Sequence, residues 1–249
     1  MKTLARWLGL LLVAFLALQL YFVGRIATMA VVAPQSTSFQ RSEAWRLANL
    51  ENGSLRWRQQ WVAYHQISDN LKRAVIASED DGFTNHEGVD WDALEKAWEK
   101  NAKAEARAAK QAPAKPNAPA GKTPKPPKVV GGSTITQQLS KNLFLSGERT
   151  LVRKGQELVL TVLLERCLSK QRILEIYLNS VEWGEGIFGA EAAAQHYYRK
   201  PASQLSAYES ARLAVMLPRP RHYEKLSNSG YLASRAGVIT GRMGDAQLP

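Results

Sequence analysis

Three adjacent acids close an apolar run in the stretch 74–88, AVIASEDDGFTNHEG, beside a phenylalanine and a histidine. A carboxylate that ends a buried apolar segment lies near low-dielectric walls, which raise its pKa and suit it to proton transfer near neutral pH. Glu79 is the candidate base on that ground. The same trio, Glu79, Asp80 and Asp81, also suits a plain acidic turn that caps and solvates a helix end, and this stretch alone does not separate the two readings. A second set of chargeable groups follows. Arg153 and Glu157 stand four apart and share a helix face, Arg149 lies a further turn back, and Lys141 and Lys154 are close in sequence. An ordinary surface ion pair is the competing reading of Arg153 and Glu157.

Other chemistries lack their residues. No HExxH or comparable ligand cluster occurs, and the four histidines are scattered at 65, 86, 196 and 222, so no metal site is expected. GxSxG is absent, as are the SxxK and KTG elements of penicillin-binding acyl transferases. Cys167 is the only cysteine, which excludes an intramolecular disulfide, a zinc ribbon and a CxxC redox site; its apolar surroundings mark it as a small hydrophobe. Gly184, Gly186 and Gly189 spell GxGxxG, but a helical LEIYLNSVEW precedes them where a dinucleotide site needs a strand, so a glycine-rich turn between helices is expected. What remains is two separated carboxylates with cations between them. That set fits glycosyl transfer from a sugar phosphate better than glycoside hydrolysis, because the cations can stabilise a departing phosphate.

The elements that must hold these groups read as helices. Ser68 or Asp69 caps a helix through LKRAVIAS, where Leu71, Val75 and Ile76 recur at helical spacing. From Trp91 the run DALEKAWEKNAKAEARAAKQ is a strong helix former, and from about Ala112 it dissolves into PAKPNAPAGKTPKPPK, a flexible, partly extended segment. The lysines of that insert, at about 100–128, suit either anionic headgroups or plain solvent. VVGGSTITQQLSKNLFL then opens on paired glycines and continues with Ser133, Gln137, Gln138, Lys141 and Asn142. This is a loop entering a helix that suits an anionic or sugar ligand, or simply a Ser/Thr-capped helix with exposed glutamines. The run from Arg149 through Leu178 is helical with a break near Ser169, and its apolar Leu158, Leu160, Val162 and Leu164 predict burial, partly against membrane. Two further helices follow, AEAAAQHYYRK and SAYESARLAVML, the latter stopped by Pro218 and Pro220. The body is mainly α.

At the other end, Trp7–Gly24 carries no charge and is bracketed by Arg6 and Arg25, a length that fits one bilayer-spanning helix. An uncleaved anchor is expected over residues 1–33; a cleaved signal peptide is the alternative. Lys2 and Arg6 favour a cytoplasmic N-terminus and a body outside it, at the inner membrane's periplasmic face. The net charge of +11 asks for an anionic partner. Outside the cytoplasm that partner is lipid or phosphorylated substrate, with no nucleic acid. Residues 34–66 read as a juxtamembrane connector whose Trp45, Trp57, Trp61 and Tyr64 suit either the lipid interface or packing.

The ordered blocks EDDGFTNHEG, GGSTITQQLSKN, RTLVRKGQE, RILEIYLN and RLAVMLPRP resemble the peptidoglycan glycosyltransferases of glycosyltransferase family 51, over about Ile67 to Tyr223. With one anchor and no transpeptidase motifs, the chain is similar to the monofunctional biosynthetic transglycosylase branch. The resemblance implies a mainly α, lysozyme-like glycosyltransferase domain over 67–249, preceded by one N-terminal transmembrane helix, that polymerises lipid II. It implies that Glu79 is the general base for the acceptor 4-hydroxyl, which attacks with inversion, and that Glu157 is the second essential carboxylate. Lys141, Arg149, Arg153 and Lys154 would face the donor's lipid diphosphate, where a divalent cation, Mg or Mn, would accompany the substrate. Ser133, Gln137, Gln138 and Asn142 fall in the polar donor-site block, while Asp80, Phe83, His86 and Gly88 shape the cleft. Expected partners are lipid II, the lipid-linked glycan strand, the membrane and other wall-synthesis proteins. Two features depart from the family pattern: the insert at about 100–128 is long, and Gln156 stands where some relatives carry a lysine. A lysozyme-like glycan-cleaving enzyme and a non-catalytic membrane scaffold are the alternatives.

Overall fold

A computed structural model describes residues 2–50, 56–111, 132–148 and 150–249. In chain order, α1 spans Lys2–Thr28, α2 Ser38–Ala48, α3 Asp69–Glu79, α4 Trp91–Gln111, α5 Ile135–Phe144 and α6 Leu151–Cys167. After these come α7 Lys170–Ser180, α8 Ala190–Tyr198, α9 Ala207–Met216, α10 Pro220–Glu224 and α11 Gly230–Arg242. Three short strands, β1 Arg58–Gln59, β2 Glu182–Gly184 and β3 Ile187–Phe188, make a sheet in the order β1-β3-β2 among the described residues. The protein is mainly α, as its periodicities predict.

Helix starts follow the hydroxyl residues. Ser68 Oγ accepts from Asn70 N at 3.2 Å to open α3, Ser169 accepts from Arg172 N to open α7, and Thr134 and Ser206 form reciprocal capping boxes with Gln137 and Glu209. The apolar face of α3, Leu71, Ala74, Val75 and Ile76, has no exposed surface and packs on α9, which in turn packs on α11. On the other side α5 packs on α6 and α7 through Ile135, Leu139 and Leu143. In α6, Leu160 and Leu164 are buried as expected. Leu158 and Val162, expected to be covered by protein or membrane, are 42% and 43% exposed on the protein, because at helical spacing they share the outer face with Leu151, Val152 and Val159.

The GxGxxG stretch is the turn of a small hairpin ahead of α8. Gly186 has φ +73°, and a Cβ there would stand 1.8 Å from the Arg56 carbonyl oxygen, so only glycine lets β1 approach β3. Strands of two or three residues are too short to leave a period in the sequence. Within 34–66, the described residues 56–66 pack on the rest of the protein: Trp57 lies on Phe188 with ring centroids 4.5 Å apart, Trp61 sits under Arg172 and Tyr64 under Lys72. Trp45 stays exposed. Helix α4 runs to Gln111, and residues 112–131 of the expected insert lie outside the described residues.

Candidate active site

Glu79 is the last residue of α3, delivered to the surface by the buried stretch Ala74–Ala77. It lines a pocket of about 120 Å³ with Ser78, Asp80, Asp81, Gly132, Ser133 and Thr134. Burial pushes its carboxyl above the ordinary value, while hydrogen bonds from Gln138 and Ser78 pull it back. Gln138 Nε2 donates to Glu79 Oε2 at 3.0 Å and Ser78 Oγ to Oε1 at 3.5 Å. The orientation of the Gln138 amide is set from behind. Tyr177 is fully buried on α7, burial drives its hydroxyl well above its usual pKa, and that protonated hydroxyl donates to Gln138 Oε1 at 2.9 Å. The Gln138 amide nitrogen is therefore left to face the carboxylate.

Asp80 has a different task from its neighbour. Its Oδ2 accepts from Ile135 N at 2.9 Å at the start of α5, and its Oδ1 meets His86 Nε2 at 2.8 Å. His86 Nδ1 accepts from Gly88 N at 3.1 Å, so the imidazole proton sits on Nε2 and is donated to Asp80. Asp80 thus ties the loop after α3 to α5, with Phe83 fully buried beneath. Asp81 is exposed and pairs with Arg242 at 2.8 Å. Thr134 Oγ1 donates to the Gly88 carbonyl at 2.6 Å, which closes the same junction.

The second carboxylate sits on α6. Glu157 is 4% exposed; burial would raise its pKa, but Lys154 and Arg153 outweigh that and hold it below the ordinary range. Arg153 Nη1 lies 2.7 Å from Oε2, and Lys154 pairs with Oε1. Arg153 Nε is buried and has no partner. The backbone behind Glu157 is pinned to α5, since Thr161 Oγ1 donates to the Glu157 carbonyl at 2.8 Å and lies 3.1 Å from Ser140 Oγ. Lys141 on α5 faces the same space. Desolvation lowers its pKa first, Glu157 opposes that, and the charges of Arg153 and Lys154 add to the lowering. Its outline is still solvent-accessible, so the effect comes from the walls around the ammonium.

Lys141, Asn142, Arg153 and Gln138 line one cleft of about 420 Å³. Glu148 and Glu182 line it too, so its wall is mixed in charge, and Gln138 joins this cleft to the pocket of the perturbed Glu79. Of the residues singled out in the sequence, Glu79, Gln138, Lys141, Asn142, Arg153, Lys154 and Glu157 gather about these two spaces, and Ser133 lies on the Glu79 side. Asp80, His86 and Phe83 stand behind as support. Gln137 spends its side-chain oxygen on Thr134 N at 3.2 Å, in the cap of α5. Arg149 lies outside the described residues. Tyr177 was not singled out; its only sequence trace is a hydroxyl among the apolar positions of RILEIYLN.

The group of His and carboxylate atoms nearest to a cation site among the described residues is Asp80, His86 and Asp90, with ligand atoms within 4.8 Å of one another. It belongs to the Glu79 side, and its atoms already serve Ile135, Gly88 and Ala93.

A family model described as Transglycosylase matches residues 47–111 and 118–244. The chain is similar to a biosynthetic peptidoglycan transglycosylase of Burkholderia thailandensis, 54% identical over 252 residues that cover 100% of this chain and 90% of the relative. A protein of the same description from Burkholderia pseudomallei is 53% identical over 252 residues, with the same coverage. One from Herminiimonas arsenicoxydans is 51% identical over 250 residues, covering 100% of this chain and 99% of the relative.

Proposed function

The chain belongs to the transglycosylase family, and on that premise we propose that it is a peptidoglycan glycosyltransferase that polymerises lipid II into glycan strands. The observation that carries the reading is the pairing of Glu79, whose basicity burial has raised, with a neighbouring cleft lined by Lys141 and by Arg153, whose Nε is buried and unpartnered. Glu79 takes the proton from the acceptor sugar's 4-hydroxyl. The oxygen forms its bond to the donor's anomeric carbon from the face opposite the leaving group, so configuration inverts. The electron pair of the breaking bond leaves on the polyprenyl diphosphate, and the proton stays on Glu79 until solvent removes it.

Lys141, Arg153 and Lys154 receive the diphosphate charge. Arg153 Nε, buried without a partner, gains a hydrogen bond when an anion arrives, and Lys141, partly desolvated by the walls around its ammonium, adds a second cation there. Glu157 keeps Arg153 and Lys154 aimed while the site is empty of substrate. Ser133, Asn142 and Gln138 offer polar contacts to the sugars.

A protein-held divalent cation does not fit this wall. Glu157 has both carboxylate oxygens engaged by Arg153 and Lys154, and Glu182 is paired with Arg221. Mg or Mn would enter with the diphosphate, and chelation would then lower donor affinity without changing the protein's melting temperature.

Helix α1 is long and apolar enough to cross a membrane, and Lys2 and Arg6 at its start, set against Arg25 and Arg41 beyond it, give a modest charge bias in support of anchorage in the bacterial inner membrane with the catalytic body on the periplasmic side. The grouping of Lys141, Arg153 and Lys154 argues against a glycan-cleaving enzyme, which needs no leaving-group site for a diphosphate. Purified protein mixed with lipid II in detergent tests the reading by size analysis of the products: long glycan is expected. Shortening of a preformed strand, or no reaction, would overturn it.

A further inference from the structure

Gln19 is the only carboxamide in the uncharged run Trp7–Gly24 of the anchor helix. Such a group is costly in hydrocarbon unless both its donor and its acceptor are met. Both are met by one residue of the catalytic body. Gln19 Nε2 donates to Gln156 Oε1 at 3.3 Å, and Gln156 Nε2 donates to Gln19 Oε1 at 3.2 Å. The seam continues along one stripe of α1 and into the turn that follows it. Phe22 meets the Phe144 ring edge-on with centroids 5.4 Å apart, the Arg25 guanidinium lies 5.6 Å from the same ring, and Ile26 and Met29 are buried in the core. The Met29 carbonyl accepts from Arg172 Nε at 2.7 Å.

The partners of this stripe are placed where the chemistry is. Gln156 precedes Glu157 and lies one turn beyond Arg153 on α6; Phe144 lies one turn beyond Lys141 on α5. The anchor therefore clasps both helices that carry the cations. Apolar contacts alone would let α1 rotate or slide by a residue, whereas a reciprocal amide pair has one register. Gln156 is thereby turned away from the cleft and toward the membrane helix.

We propose that Gln19 and Gln156 are positioning residues for the lipid-linked donor: their amide pair fixes the rotation and depth of α1 against α6 and so holds Arg153, Lys154 and Lys141 at the level of the diphosphate. This rests on the function proposed above. It makes the anchor a part of the donor site, beyond a tether.

The test uses the full chain in vesicles of phosphatidylethanolamine and phosphatidylglycerol with lipid II, and the variants Gln19→Leu, Gln156→Leu and their combination. Each single change leaves one amide unpaired and loses both bonds, so KM for lipid II rises about tenfold while kcat stays within about twofold. The double variant has no unpaired amide and recovers melting temperature, yet its KM stays raised because the register is no longer specified. KM unchanged in the single variants, or restored together with stability in the double, would overturn the proposal. Docking is read separately: Gln19→Cys/Gln156→Cys in a Cys167→Ala background should cross-link in membranes with a short bismaleimide that replaces the reach of the two amides, and failure to cross-link also overturns it. If the native chain makes no polymer, the functional reading fails, and the cross-link still decides whether the anchor is docked.

Discussion

Removing the Gln138 side-chain amide isolates the device that tunes Glu79. In Gln138→Leu the carboxylate loses its 3.0 Å donor and keeps only the Ser78 hydroxyl at 3.5 Å. Burial, which raises the Glu79 pKa, then meets less opposition. A hydrogen bond to a charged acceptor is worth about 1.5 kcal/mol, close to the 1.36 kcal/mol of one pKa unit. The acid limb of the kcat/KM profile should therefore move to higher pH by about one pH unit. The same change strands the buried Tyr177 hydroxyl, which costs about 1 to 3 kcal/mol of stability. Gln138→Leu/Tyr177→Phe removes that stranded group and should recover much of the stability while the pH limb stays displaced. Initial rates of lipid II consumption across pH 5 to 9, beside thermal melts, separate the two effects. An acid limb that stays in place or moves to lower pH in Gln138→Leu would refute the tuning argument.

Further expectations follow from the same geometry. Glu79→Gln should abolish polymerisation yet raise the melting temperature at neutral pH by about 2 °C or more, since a carboxyl whose folded pKa is raised contributes stability at low pH that is lost as pH rises through it; an unchanged or lower melting temperature contradicts the burial. Glu157 has the opposite sign, with a folded pKa held low, so its contribution is present above its unfolded pKa and lost as pH falls through the folded one. Glu157→Gln should lower activity about a hundredfold by releasing Arg153 and Lys154, and should flatten that acid loss of stability in melts between pH 3 and 7. Gly186→Ala places a Cβ against the Arg56 carbonyl at positive φ and should cost at least about 2 kcal/mol in chemical denaturation.

Local signals made much of this protein readable. Hydroxyl caps at Ser68, Thr134, Ser169 and Ser206 mark helix starts through contacts spanning two or three residues, so their partners are in view in the sequence. The shared face of Arg153 and Glu157 is equally local. Long-range contacts were not readable. Asp80 looks like one acid of three until Ile135 N, 55 residues on, proves to be its partner; Tyr177 and Gln138 are 39 apart, and Gln19 and Gln156 are 137 apart. Gln137 and Gln138 are adjacent and chemically identical, yet one caps α5 and the other faces Glu79, because neighbouring helix positions point about 100° apart. The Thr134-x-x-Gln137 spacing is that of a capping box and so was open to reading, whereas the Gln138 contact with Glu79, 59 residues away, was not.

The central claim is that Glu79 is the base for glycan polymerisation. The measurement that meets it most directly is size analysis of glycan made from lipid II by the native chain and by Glu79→Gln at equal concentration. Long polymer from the native chain and none from the folded variant is the predicted result. Polymer persisting undiminished in Glu79→Gln would contradict it.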